Sequence, residues 1–215
     1  MKKSLIKIAL FCFAITLVTI SCKKFLTNDV PGAFPEDDFY KTDEDVSQGV
    51  IGIYDMMEAH YNNNWASLYM VKSLLTDESN AGGSDETDQA GYQALDDYNF
   101  DALNDKVRDS WRMLYFSIYR ANKVINKSDD LTPLRKRLIA EAKTLRAYNY
   151  FELVSLWGDV PLVLNDIPPA NYTSTPRVAK ADVYKQIEKD LGEAIPELPL
   201  KSGYSSAEKF RVSKG

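Results

Sequence analysis

The sequence contains few of the residues that build metal and redox sites. It has two cysteines and one histidine in 215 residues. Cys12 lies inside an apolar N-terminal run that we expect to be removed, so the mature chain keeps only Cys22 and cannot form an internal disulfide. These counts exclude a metal site built from histidine and cysteine together.

Recognisable catalytic motifs are also missing. The sequence contains no Gly-x-Ser-x-Gly motif and no phosphate-binding loop that ends in Gly-Lys-Ser/Thr. Gly82 and Gly83 are followed by Ser84 and Asp85, and the carboxylate of Asp85 repels phosphate. The sequence therefore predicts a protein that is not an enzyme and has no cofactor.

Basic residues are outnumbered by acidic ones. The chain has 26 Lys and Arg against 31 Asp and Glu, a net charge of −5. Removal of residues 1–21 takes away three lysines and no acids, so the mature charge is 23 minus 31, or −8. An acidic protein has no electrostatic attraction to nucleic acid or to anionic lipid, and we exclude nucleic acid as a partner.

The N-terminus has the layout of an export signal. Lys2 and Lys3 precede an uncharged, mostly apolar run of 13 residues, Ile8 to Ile20. This run is shorter than the roughly 20 residues that cross a bilayer. Cys22 follows a small residue, as in the lipobox of bacterial lipoproteins, although Thr19 stands where leucine is usual. We expect a lipoprotein signal peptide (1–21), a lipid anchor at Cys22, a tether (22–40) and one domain (41–215); the alternative is a secreted protein with an ordinary thiol.

The rest of the sequence predicts helices and no strands. Thr42 to Asp45 fits a capping box, and an apolar face follows it at helical spacing: Val46, Val50, Ile53, Met57 and His60. Four more helices are predicted: Trp65 to Thr76, Val107 to Ile125, Thr132-Pro133 to Gly158, and about Asp182 to Ile195. We predict an all-α fold. Trp65 and Trp111 each open a Trp-x-x-Leu-Tyr stretch, which suggests tetratricopeptide-like helical pairs with long surface loops.

Two segments have no helical period. The segment Asp159 to Pro176 holds four prolines and is predicted to be an extended surface strap. The segment Asp77 to Asp105 is rich in Gly, Asp and scattered aromatics. Loops longer than about 12–15 residues are uncommon in compact domains and are usually functional or disordered, so this one is the candidate binding site.

Several stretches resemble the SusD/RagB family of nutrient-uptake lipoproteins. The strongest is Glu141-Ala-Lys-Thr-Leu-Arg-Ala-Tyr-Asn-Tyr-Phe-Glu-Leu-Val-Ser-Leu-Trp-Gly-Asp-Val-Pro-Leu-Val163. Others agree in order: Cys22-Lys-Lys-Phe-Leu26, Phe39-Tyr-Lys-Thr-Asp-Glu-Asp45, Gly52-Ile-Tyr54, Trp111, Ile118-Tyr-Arg-Ala-Asn-Lys-Val-Ile125, Arg177, Val183-Tyr-Lys-Gln-Ile187 and Asp190-Leu191.

The resemblance implies a lipid-anchored outer-membrane protein, facing the cell surface, that captures oligosaccharide or another nutrient. It also implies a TonB-dependent, SusC-like transporter as the partner that receives the ligand. Two departures stand out. Family members run to about twice this length, and Ser213 has the character of an N-cap for a further helix, so we expect a truncated chain. Lys23-Lys24 also lacks the acids associated with export to the cell surface.

Sugar binding requires aromatic faces for C–H groups and polar partners for hydroxyls. We predict that Trp65 and Tyr92 stack on sugar rings and that Asp77 and Asn80 bind hydroxyls; for Trp65 the alternative is core packing. His60 is predicted to be a structural histidine. Asp77 to Asp88 has EF-hand length, but Ala81 offers no ligand, so we predict a solvated loop and no metal.

One further arginine is assigned a structural role. Arg146 lies in the middle of the fourth predicted helix among apolar residues, so its guanidinium is expected to be covered and to need a carboxylate partner. A helical-repeat scaffold for protein partners in the cell envelope is the alternative function, and a lipid-anchored hydrolase is a third.

Overall fold

The computed structural model describes residues 39–62, 68–85, 87–128 and 131–214. The predicted signal, Cys22 and most of the tether lie outside them. The described residues form six α-helices and three short 3-10 helices, with no β-strand. The α-helices are α1 (Asp43–Asn62), α2 (Leu68–Leu74), α3 (Ala90–Asp96), α4 (Asp105–Lys127), α5 (Pro133–Trp157) and α6 (Lys180–Ala194), and the 3-10 helices are Pro169–Ser174, Lys201–Gly203 and Ser206–Glu208. The predicted all-α class is confirmed.

Local capping sets the ends of the long helices. The Asp45 N–H donates to the Thr42 hydroxyl over 3.1 Å, and the Thr42 N–H donates to the Asp45 carboxylate over 2.8 Å, which is the reciprocal pair of a capping box. At α5 the Thr132 hydroxyl accepts from the Arg135 N–H, with proline in the first turn. Gly158, at φ +68°, ends the same helix. These predicted boundaries are confirmed.

Helices α1, α4 and α5 form the centre of the bundle. The apolar stripe of α1 is buried against α4 and α5, as predicted. The backbone carbonyl of Gly52 accepts from Arg120, whereas His60 lies beside Ser117, so α1 and α4 are antiparallel. A Cβ atom on Gly49 would meet the Val124 side chain at 3.0 Å. The absence of a side chain there lets α4 approach α1 closely.

A buried ion pair joins α5 to α6. Arg146 donates from Nε and Nη2 to the two carboxylate oxygens of Asp190, over 2.8 and 2.6 Å, and from Nη1 to Asn122 on α4. Both charged side chains are buried. The predicted carboxylate partner of Arg146 is confirmed, and it comes from α6.

The proline-rich segment after Gly158 forms a strap, but the predicted extended conformation is wrong for Pro169–Ser174, which is a 3-10 helix. The strap carbonyl at Val163 accepts from the Tyr150 hydroxyl and from the Asn122 amide, and Leu162 and Leu164 pack on the core of the bundle. The strap therefore covers apolar surface between α4 and α6. Among the described helices, none is both long and apolar enough to span a membrane.

Candidate functional site

The segment between α2 and α4 is more structured than the sequence predicted. It contains α3, seven residues long. Gln89 precedes this helix with a left-handed backbone, and the Asn104 side chain closes the segment by accepting from the N–H groups of Lys106 and Val107. The expectation of a structureless loop from Asp77 to Asp105 is wrong, because a helix of two turns is too short to produce a readable apolar period.

Tyr92 does not lie on the surface, where a residue that stacks on a sugar ring must lie. Its side chain is 5% exposed and packs with Val71, Leu74 and Leu95, in a small core between α2 and α3. The Lys106 ammonium lies 4.9 Å from the centre of the ring. Helix α3 directs the Tyr92 side chain inward, and the residue is buried. The assignment of Tyr92 as an exposed stacking residue is therefore corrected.

Tyr98 is the most exposed aromatic residue of this segment. Its backbone lies at φ +53° just after α3. The Tyr98 N–H donates to Leu95 O over 3.1 Å and the Asn99 N–H donates to Ala94 O over 2.9 Å, the two bonds of a Schellman ending. Glycine or asparagine usually occupies this left-handed position, because it costs other residues about 1–2 kcal/mol.

The Tyr98 ring is held in place from its far end. The hydroxyl donates to the Leu75 carbonyl, at the end of α2, over 2.6 Å. The residue is nevertheless 64% exposed. The backbone turn and the hydroxyl bond together present the ring to solvent in a defined orientation. Strained residues persist where the surrounding structure over-determines them, and they cluster at functional sites.

Asp77 and Asn80 lie on the chain that leaves α2, after Leu75, whose carbonyl binds the Tyr98 hydroxyl. Both are exposed. The Ala81 N–H donates to Asp96 of α3 over 2.8 Å, which holds this chain against α3. Both predicted hydroxyl-binding side chains are therefore exposed on the segment that follows the carbonyl bound by Tyr98. Trp65, the other predicted stacking residue, lies outside the described residues.

Further apolar side chains follow Tyr98 in the connection between α3 and α4. Phe100 is 40% exposed and Leu103 is 82% exposed. A tight turn holds them, since the Leu103 N–H donates to the Asp101 carboxylate over 2.8 Å and the Asn104 N–H donates to the Asp101 carbonyl. We call Tyr98, Phe100 and Leu103, with the exposed Asp77 and Asn80, the α3 surface.

His60 has the structural role that the sequence predicted. It is 2% exposed, with its Nε2 atom 3.5 Å from the Ser117 hydroxyl. Burial of the imidazole lowers the pKa of His60, because the charged form loses its water. Among the described residues no group of three or more His, Cys, Asp or Glu side chains has the geometry of a metal site.

The sequence did not predict a second polar cluster, which joins α2 to α5. The Lys72 ammonium on α2 donates to both carboxylate oxygens of Glu152 on α5, over 2.9 and 3.2 Å. The Tyr148 hydroxyl donates to the same carboxylate over 2.8 Å, and burial raises the pKa of Tyr148. These groups satisfy one another and attach α2 to α5. The partners are 80 positions apart, and nothing in the local sequence pairs them.

The concave surface between α5 and α6 is a weaker candidate. It encloses about 220 Å³ and has Leu131, Ile139 and Lys143 in its lining. The Lys143 ammonium already bonds Glu193 over 2.7 Å, which lowers the pKa of Glu193 to about 2. No aromatic side chain lines it. It lacks the flat apolar face that the α3 surface offers.

Comparison with known proteins agrees with this architecture. A SusD-like family model, described as starch-binding and associating with the outer membrane, matches residues 24–215. SusD-like protein P25 of Formosa agariphila is 26% identical over 202 residues, which are 90% of this chain and 38% of that protein. A SusD-like protein of Bacteroides ovatus is 25% identical over 94% of this chain and 36% of its own length.

Solved structures with the same helical arrangement include two named for their ligands. A laminarin-binding SusD-like protein matches 81% of this chain and 38% of its own, with a TM-score of 0.70 and 30% identity. Surface glycan-binding protein A of Bacteroides uniformis matches 80% and 39%, with a TM-score of 0.66 and 25% identity. The chain thus spans little more than a third of the relatives that it matches. The family match covers nearly the whole sequence, and the chain belongs to the SusD-like family.

Proposed function

We propose that this chain is the helical part of a glycan-binding lipoprotein of the outer membrane. The lipid is carried by Cys22, and the bound oligosaccharide passes to a TonB-dependent, SusC-like transporter. The family description and the relatives named for laminarin and glycan binding support this proposal. The observation that carries it is Tyr98, an exposed aromatic ring held rigid by its own hydroxyl in a backbone conformation that tyrosine rarely adopts.

The proposed binding geometry uses the α3 surface. A sugar ring lays its C–H face on Tyr98, and Asp77 and Asn80 bind hydroxyls beside it. Because the Tyr98 ring is held before the ligand arrives, little side-chain entropy is lost on binding. Trp65 remains our proposed second stacking residue. Tyr92 contributes by supporting α3 from below. The proposed role is binding without catalysis.

The test is affinity for a glycan panel, measured with the full-length protein and with Tyr98→Ala. We expect at least a tenfold loss of affinity in the variant, the equivalent of about 1.4 kcal/mol. Tyr184→Ala is the matched control, because Tyr184 is an exposed tyrosine on α6. Equal glycan affinity of Tyr98→Ala and the wild-type protein refutes the proposed site, and absence of glycan binding refutes the function.

One observation favours the alternative of a protein-binding scaffold. Helix α4 exposes Phe116 and Tyr119, each at 46%, with the Arg112 guanidinium 5.9 Å from the centre of the Phe116 ring. Aromatic residues and arginine are enriched at protein interfaces. Under this alternative, Phe116→Ala/Tyr119→Ala abolishes co-purification of an envelope protein and leaves glycan affinity unchanged.

A further inference from the structure

The charged residues of the segment that carries the α3 surface all have one sign. From Ser73 to Asp105 the sequence has no lysine or arginine. The same stretch has nine acids: Asp77, Glu78, Asp85, Glu86, Asp88, Asp96, Asp97, Asp101 and Asp105. The molecule as a whole carries a far more balanced mixture, 26 basic against 31 acidic residues. The excess of negative charge is therefore concentrated on the segment that presents Tyr98.

The two basic residues that border this stretch are already bonded, one to an acid outside the stretch and the other to Asp105 at its end. Lys72, before it, bonds Glu152 over 2.9 Å. Lys106, after it, is buried and lies 3.1 Å from the Asp105 carboxylate. In the described parts of the chain no lysine or arginine forms an ion pair with Asp77, with Asp97 or with Asp101.

These uncompensated carboxylates lie beside the exposed aromatic ring. Asp97 immediately precedes Tyr98, Asp101 makes the turn that holds Leu103, and both are exposed. Asp77 follows Leu75, whose carbonyl binds the Tyr98 hydroxyl. A ligand seated on the ring therefore meets a segment whose exposed acids, among the described residues, have no basic partner, and the field of such charges extends over about 8 Å at physiological salt.

We propose that the α3 surface selects glycans without carboxylate or sulfate groups and rejects anionic ones. This inference rests on the proposed glycan-binding function and adds the chemical class of the ligand. Neutral sugars use the carboxylates as hydrogen-bond acceptors for their hydroxyls. Anionic sugars are repelled by each exposed acid, and no cation on this surface compensates them.

The simplest competing explanation is that the acids only keep an exposed segment soluble. The two explanations differ in their salt dependence. Repulsion between ligand and protein weakens as salt is added, because the Debye length falls from about 30 Å at 10 mM to about 3 Å at 1 M. Acids that serve solubility alone give no such dependence of ligand choice on salt.

The experiment compares neutral polysaccharides with their own carboxymethyl derivatives. The panel contains laminarin, xylan, mannan and cellulose oligosaccharides, each in both forms, and the binding of the full-length protein is measured by calorimetry. For whichever backbone binds, we expect the neutral form to bind at least about fivefold tighter at 10 mM salt. This ratio should fall below about twofold at 0.5 M salt.

A pair of matched variants assigns the effect to the α3 surface. Asp97→Asn/Asp101→Asn removes two charges that flank the residues of this surface in the sequence, and Glu188→Gln/Glu197→Gln removes two exposed charges elsewhere. We expect the first variant to reduce the low-salt preference for the neutral form by at least half, and the second to retain it. Asparagine keeps the oxygen that accepts from Leu103, so the turn survives the substitution.

The outcomes separate this inference from the proposed function. If neutral and carboxymethyl forms bind equally at low salt, or the anionic form binds more tightly, the inference is overturned and glycan binding stands. An unchanged preference in Asp97→Asn/Asp101→Asn also overturns it. If no polysaccharide binds in either form, the proposed function fails and the inference fails with it.

Discussion

Tyr92 and Tyr98 lie six positions apart in the sequence and offer a direct test of the binding surface. Tyr92 is packed inside the small core of α2 and α3, and Tyr98 is exposed in a strained turn. Replacing each by alanine should separate stability from binding. Tyr92→Ala is expected to lower the stability of the fold, and Tyr98→Ala is expected to lower the affinity for the ligand.

The magnitudes follow from burial. Removing a buried aromatic ring costs about 3–5 kcal/mol, which lowers the melting temperature by roughly 10 °C for a domain of this size. Tyr98→Ala loses one hydrogen bond, to Leu75, worth about 1 kcal/mol, and little apolar burial. Tyr98→Gly also loses that bond but relieves about 1–2 kcal/mol of backbone strain, so its net stability change is near zero.

The assay is thermal unfolding by far-UV circular dichroism, paired with calorimetric titration of the glycan that the panel identifies. We expect the order of melting temperature to be wild type and Tyr98→Gly together, then Tyr98→Ala, with Tyr92→Ala lowest. Both Tyr98 variants should lose glycan affinity. The reasoning is refuted if Tyr92→Ala melts like the wild type while losing affinity, because Tyr92 then contacts the ligand and is not a core residue.

Three further predictions concern stability and anchoring. Arg146→Ala should lower the free energy of unfolding by about 3–5 kcal/mol in chemical denaturation, because it leaves the Asp190 carboxylate buried without its partner; a loss under 1 kcal/mol contradicts this. The pKa of His60 is lower in the folded chain than in the unfolded chain, so the unfolded chain binds a proton more readily as the pH falls. The free energy of unfolding should therefore be highest above about pH 6.5 and should decrease below it. His60→Gln should flatten that decline, and an unchanged pH profile argues against it. Cys22→Ala should release the protein from membranes, and mass spectrometry of the wild-type mature N-terminus should find acyl chains there; an unmodified Cys22 excludes the anchor.

Local chemistry in the sequence determined the long helices. Each helix end depends on residues within four positions of it: Thr42 with Asp45, Thr132 with Pro133, and Gly158. The geometry of these ends can therefore be predicted without knowing the fold. The apolar stripe of α1 repeats over about four turns and leaves one possible inward face. The need of Arg146 for a carboxylate also followed from its place among apolar residues.

Tertiary structure alone decided the rest. Asp190 became the partner of Arg146 because α6 packs on α5, 44 positions further along the chain. Helix α3 is too short to create a pattern, and contacts with α2 and α4 stabilise it. Those contacts turned Tyr92 inward and left Tyr98 outside. Which of two nearby tyrosines faces solvent depends on a left-handed turn and on a carbonyl 23 positions earlier, and no local propensity encodes either of them.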